Sequence, residues 1–356
     1  MFAYQGDGPT MDEQNNPPPA LTQTPIGEAE PGDLLPQPEP PPWGQSVFLG
    51  RDGLRAGWRL LLYFGFYYVL AWVIAQACFP LIPRSASRLW FYMGEEVLQM
   101  AAVLLAAVIM ARIERRKFAS YGLPPGAILR KLFWAGCAWG FMAMTILLVA
   151  MHVGHLFDFG HVVLRGARIV KFGCFWAAFF LAVGVFEEFY FRGYPLFTVS
   201  KGLGFLDEAY GARNTQAGGA ISFWSASVVL SLSFAARHIV NRGENWIGIV
   251  AVAVIGMFFC LTVRRTGSLW FAVGFHAAWD WGQSFLYSVP DSGGTMPGHL
   301  LSSAFYGPAW LTGGSVGPEG SVLVFVIVAV VAFAFDRAYP VAQPFGGQQP
   351  SSTALS

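Results

Sequence analysis

Residues 172–199 read FGCFWAAFFLAVGVFEEFYFRGYPLFTV, an apolar run that carries Glu187, Glu188 and Arg192. A helix needs about 20 residues to cross roughly 30 Å of hydrocarbon, so this run predicts a transmembrane helix. An ionisable side chain at the bilayer centre costs about 2.5–3.5 kcal/mol on insertion scales, so such groups are rare unless they are paired or functional. Their concentration within one turn and a half indicates a functional site inside the membrane.

The whole chain has the composition of a polytopic membrane protein. It has 356 residues, is 54% hydrophobic and 12% charged, and has a mean hydropathy of +0.47. Soluble domains carry about 25% charged residues, roughly twice this value. We therefore predict an all-α membrane bundle of about eight transmembrane helices, at 60–79, 91–111, 131–151, 172–199, 221–240, 245–263, 268–289 and 321–336.

Charge and cysteine usage exclude several other classes of protein. The formal net charge is +1, which argues against a nucleic-acid partner. The four cysteines lie in apolar runs and form no CxxC motif, so neither a disulfide framework nor a thiolate zinc site is indicated. The cysteines are Cys78, Cys137, Cys174 and Cys260.

The apolar runs and the polar segments between them predict the organisation of the chain. Both ends are rich in Pro, Gly and Gln and cannot bury enough apolar surface to offset their ordering entropy. The predicted segments are a disordered acidic Pro-rich tail at 1–50, N-terminal membrane helices at 51–170, a core of further membrane helices at 171–290, a non-cytoplasmic loop at 291–320, a last transmembrane helix at 321–339 and a disordered tail at 340–356.

Basic residues predict the orientation in the membrane. Lys and Arg cluster at 51–59 and 112–131, whereas the long loop at 290–320 contains none. Cytoplasmic loops carry an excess of these residues. We therefore expect an integral protein of a bacterial plasma membrane with both termini in the cytoplasm.

Helix geometry separates the two acids of the central run. Residues four apart share a helix face, whereas successive residues point about 100° apart. Glu188 and Arg192 are thus spaced for an ion pair, with the acid before the base. Glu187 points elsewhere and is available for chemistry, while the ion pair would support it.

Two later apolar runs contribute histidines. His238 follows Phe234 by four residues, and His276 precedes Asp280 by four. We predict that these side chains converge with Glu187 on one polar pocket. A desolvated carboxylate beside an imidazole could take a proton from water. Alternatively, Glu187, His238, His276 and Asp280 could bind a divalent metal such as zinc that activates the water directly.

These three motifs, EExxxR, FxxxH and Hxxx(N/D) on successive runs, resemble the CPBP family of CAAX proteases and bacteriocin-processing (Abi) enzymes. The resemblance covers about residues 170–290 and implies an intramembrane endopeptidase with an eight-helix core. It implies that Glu187 and His238 activate water, and that His276 and Asp280 complete the site. Its partners would be membrane lipid and a peptide or protein substrate, lipid-modified where the CAAX name applies.

The chain departs from the family at Asp280, where Asn is common. An ionised carboxylate repels a developing oxyanion, whereas an amide can donate a hydrogen bond to it. Asp280 would therefore be protonated, orient His276 or bind metal, and the sequence leaves these three roles open.

Two other functions remain as alternatives. The first is a catalytically silent scaffold or immunity protein that keeps the same pocket. The second is an ion-coupled transporter that uses the acids as a proton relay, but such proteins favour internal repeats, and the sequence has no evident repeat. Elsewhere, Glu95 and Glu96 are interpreted as an interfacial or helix-start acid pair, and Gly136 with Gly140 as a close helix contact.

Overall fold

A computed structural model describes residues 47–50, 53–81, 87–210, 219–241 and 243–341. The predicted tails, at 1–50 and 340–356, lie almost entirely outside these residues. The helices, in chain order, are α1 (Ala56–Cys78), α2 (Arg88–Ile113), α3 (Lys131–Val153), α4 (Ala167–Arg192), α5 (Tyr194–Gly202), α6 (Gly204–Ala209), α7 (Ala220–His238), α8 (Trp246–Thr266), α9 (Trp270–Trp281), α10 (Ala309–Thr312) and α11 (Leu323–Ala338).

Shorter elements connect these helices. A π-helical turn, Gly282–Leu286, follows α9 directly, and 3₁₀ turns occur at Phe79–Leu81, Phe118–Tyr121, Pro125–Ala127 and Pro318–Gly320. The strands have two residues each and form two antiparallel pairs: β1 (Leu49–Gly50) pairs with β2 (Gly53–Leu54), and β3 (Phe157–Asp158) pairs with β4 (Ala304–Phe305). The predicted all-α membrane bundle is confirmed.

The number of full-length spans is smaller than predicted. Each of the eight apolar runs contains a helix, but within the described ranges six helices are long and apolar enough to cross a membrane, with α4 and α5 counted as one. The remaining two runs give α9, with 12 residues, and α11, with 16. Hydropathy missed this difference because the apolar residues around α9 continue into the π-helical turn and the loop that follows.

A glycine and a proline separate α4 from α5. Gly193 has φ −79° and ψ −111°, and Pro195 lies in the first turn of α5. A Cβ atom at Gly193 would lie 2.7 Å from the carbonyl oxygen of Phe189. Proline is tolerated in a first helical turn, where its missing N–H is not needed. The chain direction therefore changes directly after Arg192, the last residue of α4.

Helix α9 packs very closely against α3. A Cβ at Gly136 would lie 2.1 Å from the carbonyl oxygen of Phe271, and one at Gly140 would lie 2.1 Å from that of Phe275. Only glycine fits at such distances, because real Cβ atoms do not approach a carbonyl so closely. The predicted contact at these glycines is confirmed, and it fixes the backbone next to His276.

Helix α9 also lies between two apolar clusters. Val273 belongs to a cluster with Tyr63 and Phe189, whereas Phe275 belongs to another with Met144. Nine of the 12 residues of α9 are buried. A helix that is apolar on nearly all sides is expected in the interior of a bundle. This position holds the polar residues of α9, His276 and Asp280, inside the bundle.

Candidate active site

A buried hydrogen-bonded network joins α4 to α9. The Nδ1 atom of His276 lies 2.8 Å from Oε1 of Glu188, and Nη1 of Arg192 lies 2.9 Å from the same oxygen. The side chains of Glu188 and Arg192 are 0% and 1% exposed. The predicted ion pair is confirmed, but no sequence pattern indicated that Glu188 also binds His276.

The second nitrogen of His276 faces two more carboxylates. Its Nε2 lies 3.7 Å from Oε2 of Glu187 and 3.4 Å from Oδ2 of Asp280. The Nδ1 proton is donated to Glu188, because a carboxylate that already accepts from Arg192 can only accept again. Nε2 is thus the nitrogen that faces Glu187, whose side chain is 26% exposed.

Arg192 is held by aromatic rings as well as by Glu188. The guanidinium carbon lies 4.4 Å from the ring centroid of Phe234 and 5.2 Å from that of Phe259. Within the described part of the chain, Nε and Nη2 of Arg192 are buried without a hydrogen-bond partner. Cation–π contacts with desolvated rings partly replace those bonds. Phe234 thereby connects α7 to the ion pair of α4.

His238, the last residue of α7, is held by its own helix. Its Nδ1 lies 2.9 Å from the carbonyl oxygen of Phe234, and the two rings contact edge to face at 4.7 Å. A carbonyl only accepts hydrogen bonds, so Nδ1 must carry the proton. Nε2 is therefore left with a lone pair that can accept a hydrogen bond from water.

All four predicted site residues line one cavity of about 290 Å³, namely Glu187, His238, His276 and Asp280. The remaining wall is mainly apolar and aromatic, with residues such as Phe179, Val252 and Trp279. The structure thus brings together side chains from α4, α7 and α9, as the sequence predicted. Such a pocket, apolar with a few convergent polar groups, is typical of a ligand site.

Four further charged residues that the sequence analysis did not assign to the site also line this cavity: Glu96, Arg237, Asp291 and Glu319. The sequence analysis interpreted Glu96 as an interfacial or helix-start acid and did not assign it to the site, whereas it lies in the cavity wall with Glu187 and Arg237 as charged neighbours. Arg237 directly precedes His238, and this adjacency was the one available indication.

Asp291 and Glu319 come from the loop between α9 and α11. Oδ2 of Asp291 accepts a hydrogen bond from the Ser284 hydroxyl at 2.8 Å, and Oε1 of Glu319 accepts one from the Ser292 N–H at 2.5 Å. Burial raises the pKa of Asp291 to about 6 and that of Glu319 to about 8. No sequence pattern distinguishes these two acids from ordinary loop residues.

The geometry does not support the suggested metal site. Among the residues that the structure describes, no three His, Cys, Asp or Glu side chains are placed to hold a metal ion. Bound zinc needs three or four ligand atoms at about 2.0–2.3 Å from one point. No step below therefore uses a metal.

Comparison with known families agrees with this geometry. Residues 169–282 match the family described as type II CAAX prenyl endopeptidase Rce1-like. The matched segment runs from the first turns of α4 to the end of α9 and contains all four predicted site residues. The match confirms the resemblance to the CPBP and CAAX protease family.

This segment is therefore similar to a family of CAAX-type endopeptidases. No curated protein and no solved structure matches the chain. The helices of spanning length and the family match together indicate an integral membrane protein.

Proposed function

We propose that the protein hydrolyses a peptide bond in this cavity with a water molecule activated by Glu187. The convergence of Glu187, His238 and His276 on one cavity supports the proposal most strongly. The match of the same segment to an endopeptidase family gives it a chemical class.

In the first step, Glu187 takes a proton from water. Its partly exposed carboxylate can be reached from the cavity, and a positioned carboxylate can act as a general base. Nε2 of His238 accepts a hydrogen bond from the other O–H of the water and so orients the molecule. The water oxygen then attacks the carbonyl carbon of the substrate, and the carbonyl electron pair moves to its oxygen.

In the second step, His276 stabilises the oxyanion through a proton on Nε2. In this step the ring carries a proton on each nitrogen. Glu188 accepts a hydrogen bond from Nδ1–H, while the carboxylate of Asp280 beside Nε2 stabilises the positive charge of the ring and leaves Nε2–H to the oxyanion. Fixed donors of this kind typically contribute about 10²–10³-fold in rate.

In the last step, Glu187 returns its proton to the nitrogen of the scissile bond. The carbon–nitrogen bond breaks, the oxyanion collapses to a carboxylic acid, and the amine leaves. Glu187 is then again ionised, and one water molecule has been consumed for each bond cleaved.

Of the three roles left open for Asp280, orientation of His276 fits best. Oδ2 of Asp280 lies 3.4 Å from Nε2 of His276. An ionised carboxylate that touched the oxyanion directly would repel it. Asp280 therefore acts through the histidine, as a positioning residue.

The substrate would be a peptide or protein segment that reaches the cavity from the bilayer, and the family name favours a lipid-modified one. We further propose that the protein lies in a bacterial plasma membrane with both termini in the cytoplasm. The loop at 290–320, which contains no Lys or Arg, would then face the other side.

The test is cleavage of a mass-encoded peptide library by the purified full-length protein in lipid vesicles, with and without a metal chelator. We expect cleavage in both conditions. Chelator-sensitive activity restored by zinc would contradict the metal-free mechanism. Absence of cleavage of every peptide would contradict hydrolysis and leave the scaffold or immunity function.

A further inference from the structure

Arg237 is a charged wall residue of the cavity that the proposed reaction does not use. Across the described residues, it is the cavity's only Lys or Arg side chain, and it forms no hydrogen bond or ion pair there. Its charged neighbour Glu96 lies within electrostatic range without forming a salt bridge. Arg237 as a whole is exposed.

Two other arginines of the membrane helices differ from Arg237 because each forms an ion pair. Arg192 is buried against Glu188, and Arg265 forms an ion pair with Asp336. Arg237 lines the cavity without a salt bridge, so its guanidinium is available there to bind an anion. The last turn of α7 stabilises the positive charge, because the carboxyl end of a helix is negative.

The guanidinium fork matches a carboxylate. Its donors lie in one plane and can form two parallel hydrogen bonds to the two oxygens. The side chain of Asn241 lines the same cavity just beyond the end of α7 and can supply a further N–H donor. A doubly charged phosphate would be repelled by Glu96 and Glu187, whereas a peptide offers a singly charged carboxylate.

We propose that Arg237, assisted by Asn241, binds a carboxylate of the substrate and thereby determines which peptides enter the cavity. The inference rests on the proposed function, since it assigns part of the substrate for the same site. The carboxylate can be the free C-terminus of the peptide or an acidic side chain. Because Arg237 and His238 are adjacent, the carboxylate would lie within a few residues of the bond that is cleaved.

The proposal is tested by binding rather than by cleavage, so that its failure is distinct from failure of the hydrolase function. The Glu187→Gln variant removes the general base but keeps Arg237, and it would bind fluorescent pentapeptides without consuming them. We expect that peptides with a free C-terminus bind about 10- to 100-fold more tightly than their C-terminal amides.

A second series identifies the source of the carboxylate. Amidated peptides that end in Asp or Glu are compared with the same peptides ending in Asn or Gln. A preference for the acid in either series supports the proposal and names the source. Equal binding in both series overturns it.

Substitution of Arg237 then assigns the preference to this residue. In Arg237→Gln, we expect acid and amide peptides to bind equally, whereas Arg237→Lys should keep part of the preference, because lysine retains the charge but not the fork. Arg168→Gln is the matched control, since Arg168 lies exposed at the opposite end of α4 from Glu187. A preference that persists unchanged in Arg237→Gln overturns the proposal.

Discussion

The two histidines of the cavity are held in opposite ways. His276 binds Glu188, which lies 88 residues earlier in the chain and is itself paired with Arg192. His238 binds the carbonyl of Phe234, four residues earlier on the same helix. One imidazole is thus fixed by a buried network between helices, and the other by its own helix.

Because of this difference, we expect substitutions at the two histidines to have different effects on the stability and the activity of the protein. The network around His276 contains fully buried charges, and removal of one partner leaves the other uncompensated in a region of low dielectric. The bond of His238 to its own backbone contributes little to the packing of α7 on its neighbours. Changes around His276 should therefore affect both folding and catalysis, and changes at His238 mainly catalysis.

The largest effect is expected for Glu188→Gln. The buried guanidinium of Arg192 loses its counter-charge, which typically costs about 3–5 kcal/mol. We expect a large fall in the unfolding midpoint in detergent, together with loss of cleavage. The control is Asp336→Asn, which removes a more exposed ion pair with Arg265 and should change stability by less than about 1 kcal/mol. Similar losses in the two variants would show that burial of the Glu188 pair has no special role.

His238→Gln tests the other half of the comparison. Loss of a group that orients the attacking water should lower kcat by about 100-fold, while the unfolding midpoint stays near that of the wild type. His276→Gln should lower both quantities, because it also breaks the contacts with Glu188 and Asp280. Equal destabilisation by the two substitutions would end the distinction between them.

A substitution at the close contact of α3 with α9 should disturb the position of His276 less strongly. In Gly140→Ala, the added Cβ would lie 2.1 Å from the carbonyl oxygen of Phe275, so the helices must separate. Overpacking of this kind usually costs about 1–3 kcal/mol. We expect reduced stability and reduced cleavage. Gly65→Ala in α1 is the control, because nothing lies within 4 Å of its added Cβ. A neutral Gly140→Ala would show that this contact does not position His276.

The smallest effect concerns pH. The pKa of Glu319 is raised from 4.5 to about 8 by burial. Between these values the folded protein retains a proton that the unfolded chain has lost, so stability falls as pH rises from about 5 to about 8. Glu319→Gln should flatten this slope, and Glu95→Gln, at an exposed position, should not. An unchanged slope in Glu319→Gln would contradict a buried, protonated Glu319.

The sequence predicts the local part of the site. Helical periodicity is enough to pair Glu188 with Arg192 and to place His276 and Asp280 on one face, since these contacts span four residues. The shortness of α9 could not be predicted, because its apolar run continues beyond the helix. The three motifs in their order also predicted that Glu187, His238 and His276 would meet.

The remaining contacts depend on tertiary packing. The hydrogen bond between Glu188 and His276 joins residues 88 positions apart in the chain. It depends on the packing that places α9 beside α4, and no local sequence pattern predicts this hydrogen bond. Asp291 and Glu319 enter the cavity through the folding of a loop whose sequence resembles any polar connection. Glu96 was not assigned to the site because hydropathy does not report the direction in which a side chain points.

The central claim is that the carboxylate of Glu187 activates water in this cavity. The most direct measurement is the single-turnover rate of peptide cleavage by Glu187→Gln beside that of Glu95→Gln, another Glu-to-Gln change in a pair of adjacent acids. We predict that Glu187→Gln loses about 10²–10⁴-fold in rate with its unfolding midpoint retained, while Glu95→Gln cleaves as the wild type does. Cleavage by Glu187→Gln at the wild-type rate would contradict the account.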